Sequence, residues 1–518
     1  MPFFRFHAAR LPFWAAAALP VIVAAWLRVR GNGELEAFVD EGANILTALD
    51  PRVRDAFEPL AQGRPWLVYL FKPAGWFESH ALVVARSMSA GAGLITLGAL
   101  GWTLHRLAGR TAALCGLWLW ALLPIAVFHE RLALQDPFVA ALLASALAFL
   151  AVGAPTVENS SGGWAFFAAG VCVGSAFLLK ISAVFALPWL GVVFVAMQRR
   201  AGARVFDRRL GWLAFGALVP LLSLGFSIRQ LGSGLERYGA LAGAGGTPTG
   251  PGFLERLGTW LEFYFGYGGW PLLVLLVAAL LAAARFRHGL ALGSAVGWVG
   301  SLLVSGLFYH NLYARYLLPD HLPLVLFLAF AWGELLDRAG QLRVVVFSVT
   351  LVAAGRWGFV AQSLARTPEQ SPVPASEVEQ YFTGPWSGRG LNDVRRYLTA
   401  YADQHATRCL VLTHRFLRPG SYGLLLTELG DPRIGVVPAT IYEPGELAAA
   451  LPGLRRAAAG QRVAFFLLYE GSLYPAHPWL DAAVSPARRV IEVPRGAGEK
   501  FTLYRFEVGG TDVLPARL

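Results

Sequence analysis

Charge, lysine and cysteine are all scarce in this 518-residue chain. Charged residues make up 15% of it against 56% hydrophobic, a balance that a water-soluble globular chain of this size does not ordinarily show. Cys115, Cys172 and Cys409 are too few and too dispersed for a disulfide framework or a zinc site, and redox chemistry goes with them. No P-loop, dinucleotide fingerprint, HExxH or EF-hand pattern occurs. The net charge of +11 does not indicate nucleic acid. Of the 44 basic residues only Lys72, Lys180 and Lys500 are lysines, and many of the arginines cluster in short loops between apolar runs.

What is present is apolar sequence in membrane-length runs. Windows of roughly 17 to 20 apolar residues, enough to cross a ~30 Å hydrocarbon layer, fall near 11–28, 82–104, 111–128, 137–153, 164–180, 181–198, 210–228, 270–284, 290–308, 316–335 and 342–360. They predict a polytopic α-helical membrane protein with about eleven spans. The first run is flanked by Arg5 and Arg10, lacks a convincing small-residue cleavage site, and reads as a retained helix. A cytoplasmic N-terminus puts Arg106, Arg110, Arg199, Arg200, Arg285, Arg287, Arg338 and Arg343 on the cytoplasmic side, as the positive-inside bias requires. The loops at 29–81, 129–136, 229–269 and 309–315, and the tight turn at Lys180, then lie outside. Arginines in the first of these loops depart from the bias, either because the loop binds an anion or because long loops escape the rule.

Beyond residue 360 the apolar runs shorten. A membrane domain is expected over 1–360, including the first extracytoplasmic loop at 29–81, and a Ser/Pro/Glu-rich linker within 361–384. Over 385–518, helix-like stretches at 391–404, 421–429 and 444–459 alternate with strand-like ones at 409–412, 433–437, 462–469, 489–493 and 501–507. This alternation predicts an extracytoplasmic α/β domain with a largely parallel sheet.

Chemistry-bearing residues gather in the outer loops. Asp40 and Glu41 stand side by side at the start of a short amphipathic segment. An acidic helix cap explains one of them but not a pair. His129, Glu130, Arg131 and Asp136 crowd one short loop between two spans. Asp136 before Pro137 also fits a helix start, and Arg131 also fits a snorkelling side chain. Lys180 sits between two apolar runs with almost no loop, where an ammonium needs an anionic partner, such as a lipid phosphate, or interfacial water. Lys72 closes the apolar patch at 66–71. Tyr313, Arg315 and Tyr316 combine aromatic anchors with a phosphate-binding guanidinium, or mark an ordinary aromatic belt.

Taken in order, these segments resemble the GT-C glycosyltransferases that use polyprenyl-phosphate sugars, in particular the dolichyl-phosphate-mannose protein mannosyltransferase and aminoarabinose transferase families. Asp40-Glu41 is similar to their acidic motif in the first loop, and Arg86 in ARSMSAGAG to an arginine opening their second span. Arg131 to Asp136 matches an Arg followed five residues later by Asp. Lys180 in FLLKISAVFALP is similar to their lysine between paired spans, and Arg315-Tyr316 with Pro319 to a late Arg-Tyr-x-x-Pro turn.

The resemblance implies inverting transfer of a sugar from a polyprenyl-phosphate donor to a hydroxyl of a lipid, glycan or protein acceptor, outside a bacterial inner membrane. It implies Asp40 and Glu41 as catalytic residues. Lys72, Arg86, His129, Glu130, Arg131, Asp136, Lys180, Tyr313, Arg315 and Tyr316 would bind donor or acceptor. A lipid monophosphate leaving group does not require a metal, although Asp40, Glu41, His129 and Asp136 offer oxygen and nitrogen ligands for a divalent cation. The alternative is a transporter or lipid flippase, which also carries intramembrane charge.

Overall fold

The computed structural model describes residues 13–59, 62–153, 163–202, 204–205, 207–223, 252–308, 313–338, 340, 343–414, 418–439, 444–458, 461–470, 488–496 and 498–506. The Gly-rich stretch at 242–251 and the start of the last outer turn at 309–312 lie outside the described residues. The chain forms two compact units. One comprises Met1–Arg30, Pro59–Trp66 and Arg86–Pro374; the other comprises Gly31–Glu58, Leu67–Ala85 and Ala375–Leu518.

The first unit is helical. Its principal helices are α1 (Phe13–Val29), α6 (Arg110–Leu122), α7 (Pro124–His129), α8 (Asp136–Gly153), α9 (Gly163–Leu179), α10 (Leu187–Arg200), α11 (Arg208–Leu221), α12 (Phe253–Phe286), α13 (Gly289–Phe308), α14 (His321–Arg338) and α15 (Arg343–Arg366), together with most of α5 (Ala81–Ala108). Among the described residues six helical segments are long and apolar enough to cross a membrane: Lys72–Ala108, Asp136–Gly153, Ile181–Arg200, Phe253–Phe286, Gly289–Leu307 and Val344–Arg366. The chain is a multi-pass membrane protein.

Three further apolar helices, Phe13–Val29, Arg110–Leu122 and Gly163–Leu179, are shorter than a full span, and the window at 210–228 runs past the described residues. Pro124 has no amide hydrogen and its ring forces Leu123 out of helical geometry (ψ 112°). The window at 111–128 is therefore two short helices, α6 and α7. Conversely, the aromatic stretch at 253–270, which reads as a separate interfacial segment, is continuous with the following span as α12. The two halves meet at Gly269, whose φ of 60° only glycine adopts without strain, just before Pro271.

The second unit is α/β. Its helices are α2 (Val39–Leu49), α3 (Pro51–Phe57), α4 (Leu67–Leu70), α16 (Ala375–Val378), α17 (Leu391–His405), α18 (Pro419–Gly430) and α19 (Pro444–Ala458), with a 3-10 stretch over Lys72–His80. Strands β1 (Arg408–His414), β2 (Ile434–Ala439), β3 (Val463–Glu470), β4 (Arg488–Gly496) and β5 (Glu499–Phe506) form one sheet in the order β2-β1-β3-β5-β4. β1 runs parallel to β2 and β3, with Cys409 opposite Ile434 and Ala464. β5 is antiparallel to both β3 and β4. The sheet is thus mixed rather than largely parallel, because β4 and β5 follow each other too closely in sequence for the helical crossover that a parallel pair needs. Its core is aliphatic and aromatic: Leu410, Leu412, Leu454, Phe465, Leu467 and Phe506 are all buried.

The first-loop helices belong to this unit. Val39 donates its amide to the carbonyl of Trp386 (3.2 Å), and the Glu36 carboxylate accepts from the amides of Gly390 (2.6 Å) and Asn392 (2.7 Å), so that it caps α17 from outside. Arg52 bridges Asp50 (2.7 Å) and Glu428 on α18 (2.8 Å). Helices α2 and α18 meet so closely at Gly42 that a Cβ there would stand 2.5 Å from the Cβ of Tyr422.

Candidate functional site

In the helical unit, five residues singled out by sequence come together. Asp136 is the first residue of α8, and its Oδ1 accepts from the Nζ of Lys180 at 2.6 Å, with both side chains about 95% buried. Asp136 therefore opens a helix and binds a cation at once. Lys180 caps a 3-10 turn, Ile181–Ala186, that leads into α10, and its ammonium lies 3.8 Å from the ring centroid of Tyr316. The next turn, Ala314–Leu317, carries Arg315, whose guanidinium stands over Tyr313 (4.4 Å) and Tyr316 (5.3 Å).

Sequence reading did not place Arg64 and Asp320 here. Arg64 and Arg315 are both near enough for their charges to act on Lys180. Asp320 lines the same cleft as Asp136, Lys180, Ser182, Tyr316 and Pro319, and its Oδ2 accepts from the Ser305 hydroxyl at 2.8 Å. Each left a trace in sequence: Arg64 is one of the first-loop arginines that depart from the charge bias, and Asp320 directly follows the Arg-Tyr-x-x-Pro turn. The buried cleft itself is lined by one ammonium and two carboxylates, and the guanidinium groups of Arg64 and Arg315, near Lys180 but outside the lining, bring the local balance to three cations against two carboxylates. A buried excess of cations favours an anion.

Other residues from the same loop have different partners. Glu130 is fully buried in an ion pair with Arg28 and also accepts from the indole of Trp120 (3.1 Å). Arg28 further donates to the carbonyls of Trp120 (3.1 Å) and Ala121 (3.2 Å). Arg131 donates to the carbonyls of Leu364 (2.6 Å) and Arg30 (2.7 Å) and so ties the end of α15 to the segment after α1. His129 packs its ring against Phe128 (5.0 Å) and Tyr267 (5.9 Å). Arg86 is fully buried on α5.

In the α/β unit, the acidic pair splits into two environments. Glu41, at the third position of α2, is fully buried, and its Oε2 accepts from the amide of Phe38 (3.0 Å). Phe38 has no side-chain acceptor, so only this half of a capping box exists. Asp40 is partly exposed in the same first turn. Lys72 is exposed, with its ammonium 5.0 Å from the ring centroid of Tyr69.

Among the described residues no three His, Cys, Asp or Glu side chains gather to hold a metal ion. Asp40, Glu41, His129 and Asp136 form no such group: Asp136 is occupied by Lys180, Glu41 by a backbone amide, and His129 is packed between aromatic rings.

This order of elements, membrane helices followed by a small terminal sheet, is the GT-C architecture. The fold is shared with ArnT from Cupriavidus metallidurans. The apo structure of that protein superposes with a TM-score of 0.56 at 14% identity, over 95% of this chain and 97% of that one. ArnT bound to undecaprenyl phosphate gives 0.54 at 15% identity, over 97% and 98%. The apo oligosaccharyltransferase of Archaeoglobus fulgidus aligns at 0.48 and 13% identity, over 97% of this chain and 75% of its own. No protein-family model matches the sequence, and no curated protein does.

Proposed function

We propose that this protein is a membrane glycosyltransferase that moves a sugar, with inversion, from a polyprenyl-phosphate donor to the hydroxyl of a lipid, glycan or protein acceptor. The carrying observation is the buried cleft in which Lys180 pairs with Asp136 and lies within reach of the charges of Arg64 and Arg315, within a fold shared with a protein solved with undecaprenyl phosphate bound. The acceptor oxygen attacks the anomeric carbon while the carbon–oxygen bond to the phosphate breaks, and the bonding pair leaves on the phosphate. Lys180, Arg315 and Arg64 stabilise the charge that grows there, strongly because the site is partly desolvated. The acceptor proton passes to a carboxylate. Asp40 suits this role, since Glu41 is committed to the Phe38 amide while Asp40 retains access to solvent.

In this reading the protein resides in a bacterial inner membrane, with its N-terminus cytoplasmic and the α/β unit and the reaction extracytoplasmic. The transporter or flippase alternative has no observation in its favour.

Native mass spectrometry of gently extracted protein tests the donor. Polyprenyl phosphate, or its glycosylated form, should copurify with the wild type and be lost from Lys180→Met. Failure of the wild type to retain it, even when it is supplied, overturns the reading. Asp40→Asn should keep the lipid and abolish transfer; undiminished turnover would remove Asp40 as the base.

A further inference from the structure

A second polar cleft lies in the helical unit at the far end of α10 from Lys180. The span Ile181–Arg200 has 20 residues, which at 1.5 Å per residue separates its two ends by about 30 Å, one hydrocarbon thickness. The cleft has a volume of about 720 Å³ between α10, the turn from α12 to α13, and the end of α14. Its mouth is basic: Arg199 and Arg200 close α10, Arg287 and His288 form the turn, and Arg338 closes α14. Glu334 is the one carboxylate in its lining.

That carboxylate is already taken. Glu334 pairs with Arg338 at 2.6 Å, and the Arg338 guanidinium stands 5.3 Å from the ring centroid of Phe286. Among the described residues Arg199, Arg200 and Arg287 have no ion pair. The His288 ring is held in place by stacking on Phe330 (centroids 5.6 Å apart, planes 25° apart) and by accepting the Ala291 amide at Nδ1 (3.1 Å). Neutral His288 therefore carries its proton on Nε2 and has that donor to offer. Below the cations the lining turns apolar through Val192, Val195, Leu292 and Val296, and the last two are 41% and 61% exposed. Cations at the end of a span beside an apolar, outward-facing wall suit a ligand with an anionic head and a hydrocarbon tail.

The geometry points to a binding site for one anionic phospholipid of the bilayer. Its phosphate lies among Arg199, Arg200 and Arg287, and its acyl chain lies along Leu292 and Val296. This site is distinct from the Lys180 cleft and does not depend on the transferase reading.

The test is a native mass-spectrometric titration of the full-length protein with phosphatidylglycerol, phosphatidylcholine and inorganic phosphate. Phosphatidylglycerol should bind the wild type and Lys180→Met alike, and at least tenfold more weakly to Arg199→Gln/Arg200→Gln/Arg287→Gln. A variant with the same loss of charge elsewhere, Arg106→Gln/Arg110→Gln/Arg204→Gln, should bind as the wild type does. Equal affinity for phosphatidylcholine, equal weakening in the charge-matched variant, or displacement of the lipid by equimolar inorganic phosphate would each overturn the site. Should the triple variant fail to fold, hydrogen exchange on the wild type decides. Phosphatidylglycerol should slow exchange at 286–292 relative to phosphatidylcholine, and no difference there would refute the assignment.

Discussion

Two neighbouring carboxylates illustrate how far residue type alone carries the argument. Asp40 and Glu41 are indistinguishable in sequence, yet one caps a helix from a dry position and the other stays within reach of water. Glu41→Ala should therefore cost about 1 kcal/mol of stability, seen as a lower thermal midpoint. Asp40→Asn should leave the midpoint within experimental scatter while removing turnover. The opposite pattern would exchange their roles. Lys180, Asp136, Arg315 and Tyr316 were legible because a charge with no room to reach water must find partners. The partners of Glu130 and Arg131 were not, since Arg28 lies 102 positions from Glu130 and the Leu364 carbonyl 233 from Arg131. Gly93 is hidden in the same way: a Cβ there would stand 2.3 Å from Glu130 Oε2. Gly93→Ala should disrupt the buried Arg28–Glu130 pair and lower stability by about 3 kcal/mol, within the range for breaking such pairs, as read from detergent-solubilised melting curves.

At the scale of elements, hydropathy located the apolar windows but not their joints. It could not separate α6 from α7, because Pro124 interrupts hydrogen bonding without interrupting apolar character, and it could not join the halves of α12 across Gly269. The strands of the terminal unit were legible from apolar runs, whereas their pairing depends on connections that composition does not encode. The packing of α2 on α18 left only a glycine as its signature. Gly42→Val should push Tyr422 away, cost about 1 to 3 kcal/mol as overpacked contacts do, and raise hydrogen exchange across Val39–Leu49. Unchanged exchange there would mean that the contact is not close.

For the molecule as a whole, pH is the simplest lever on the α/β unit. Burial pushes the Glu470 carboxyl up to about 7, outweighing Arg495 at 3.7 Å and the Gly420 amide at 3.0 Å. Burial raises Glu36 as well. An unfolded glutamate releases its proton near 4.5, whereas folded Glu470 keeps it up to about 7, so the folded state binds more protons across that interval. The contribution of Glu470 to stability therefore falls as pH rises from 4.5 to 7, and its loss is complete above 7. It is on the order of 3 kcal/mol for the Glu470 shift. Protection of Val463–Glu470 against hydrogen exchange, corrected for intrinsic rates, should be greater at pH 5 than at pH 8, and Glu470→Gln should flatten that dependence.

The bond from Glu36 to the Gly390 amide spans 354 positions. During synthesis, the segment bearing Asp40 leaves the ribosome hundreds of residues before the helix it braces exists. Contacts of such long separation form late. A nascent or truncated chain therefore holds its acidic pair on an unanchored segment, and that pair acquires a fixed position only once the segment around Gly390 has been made.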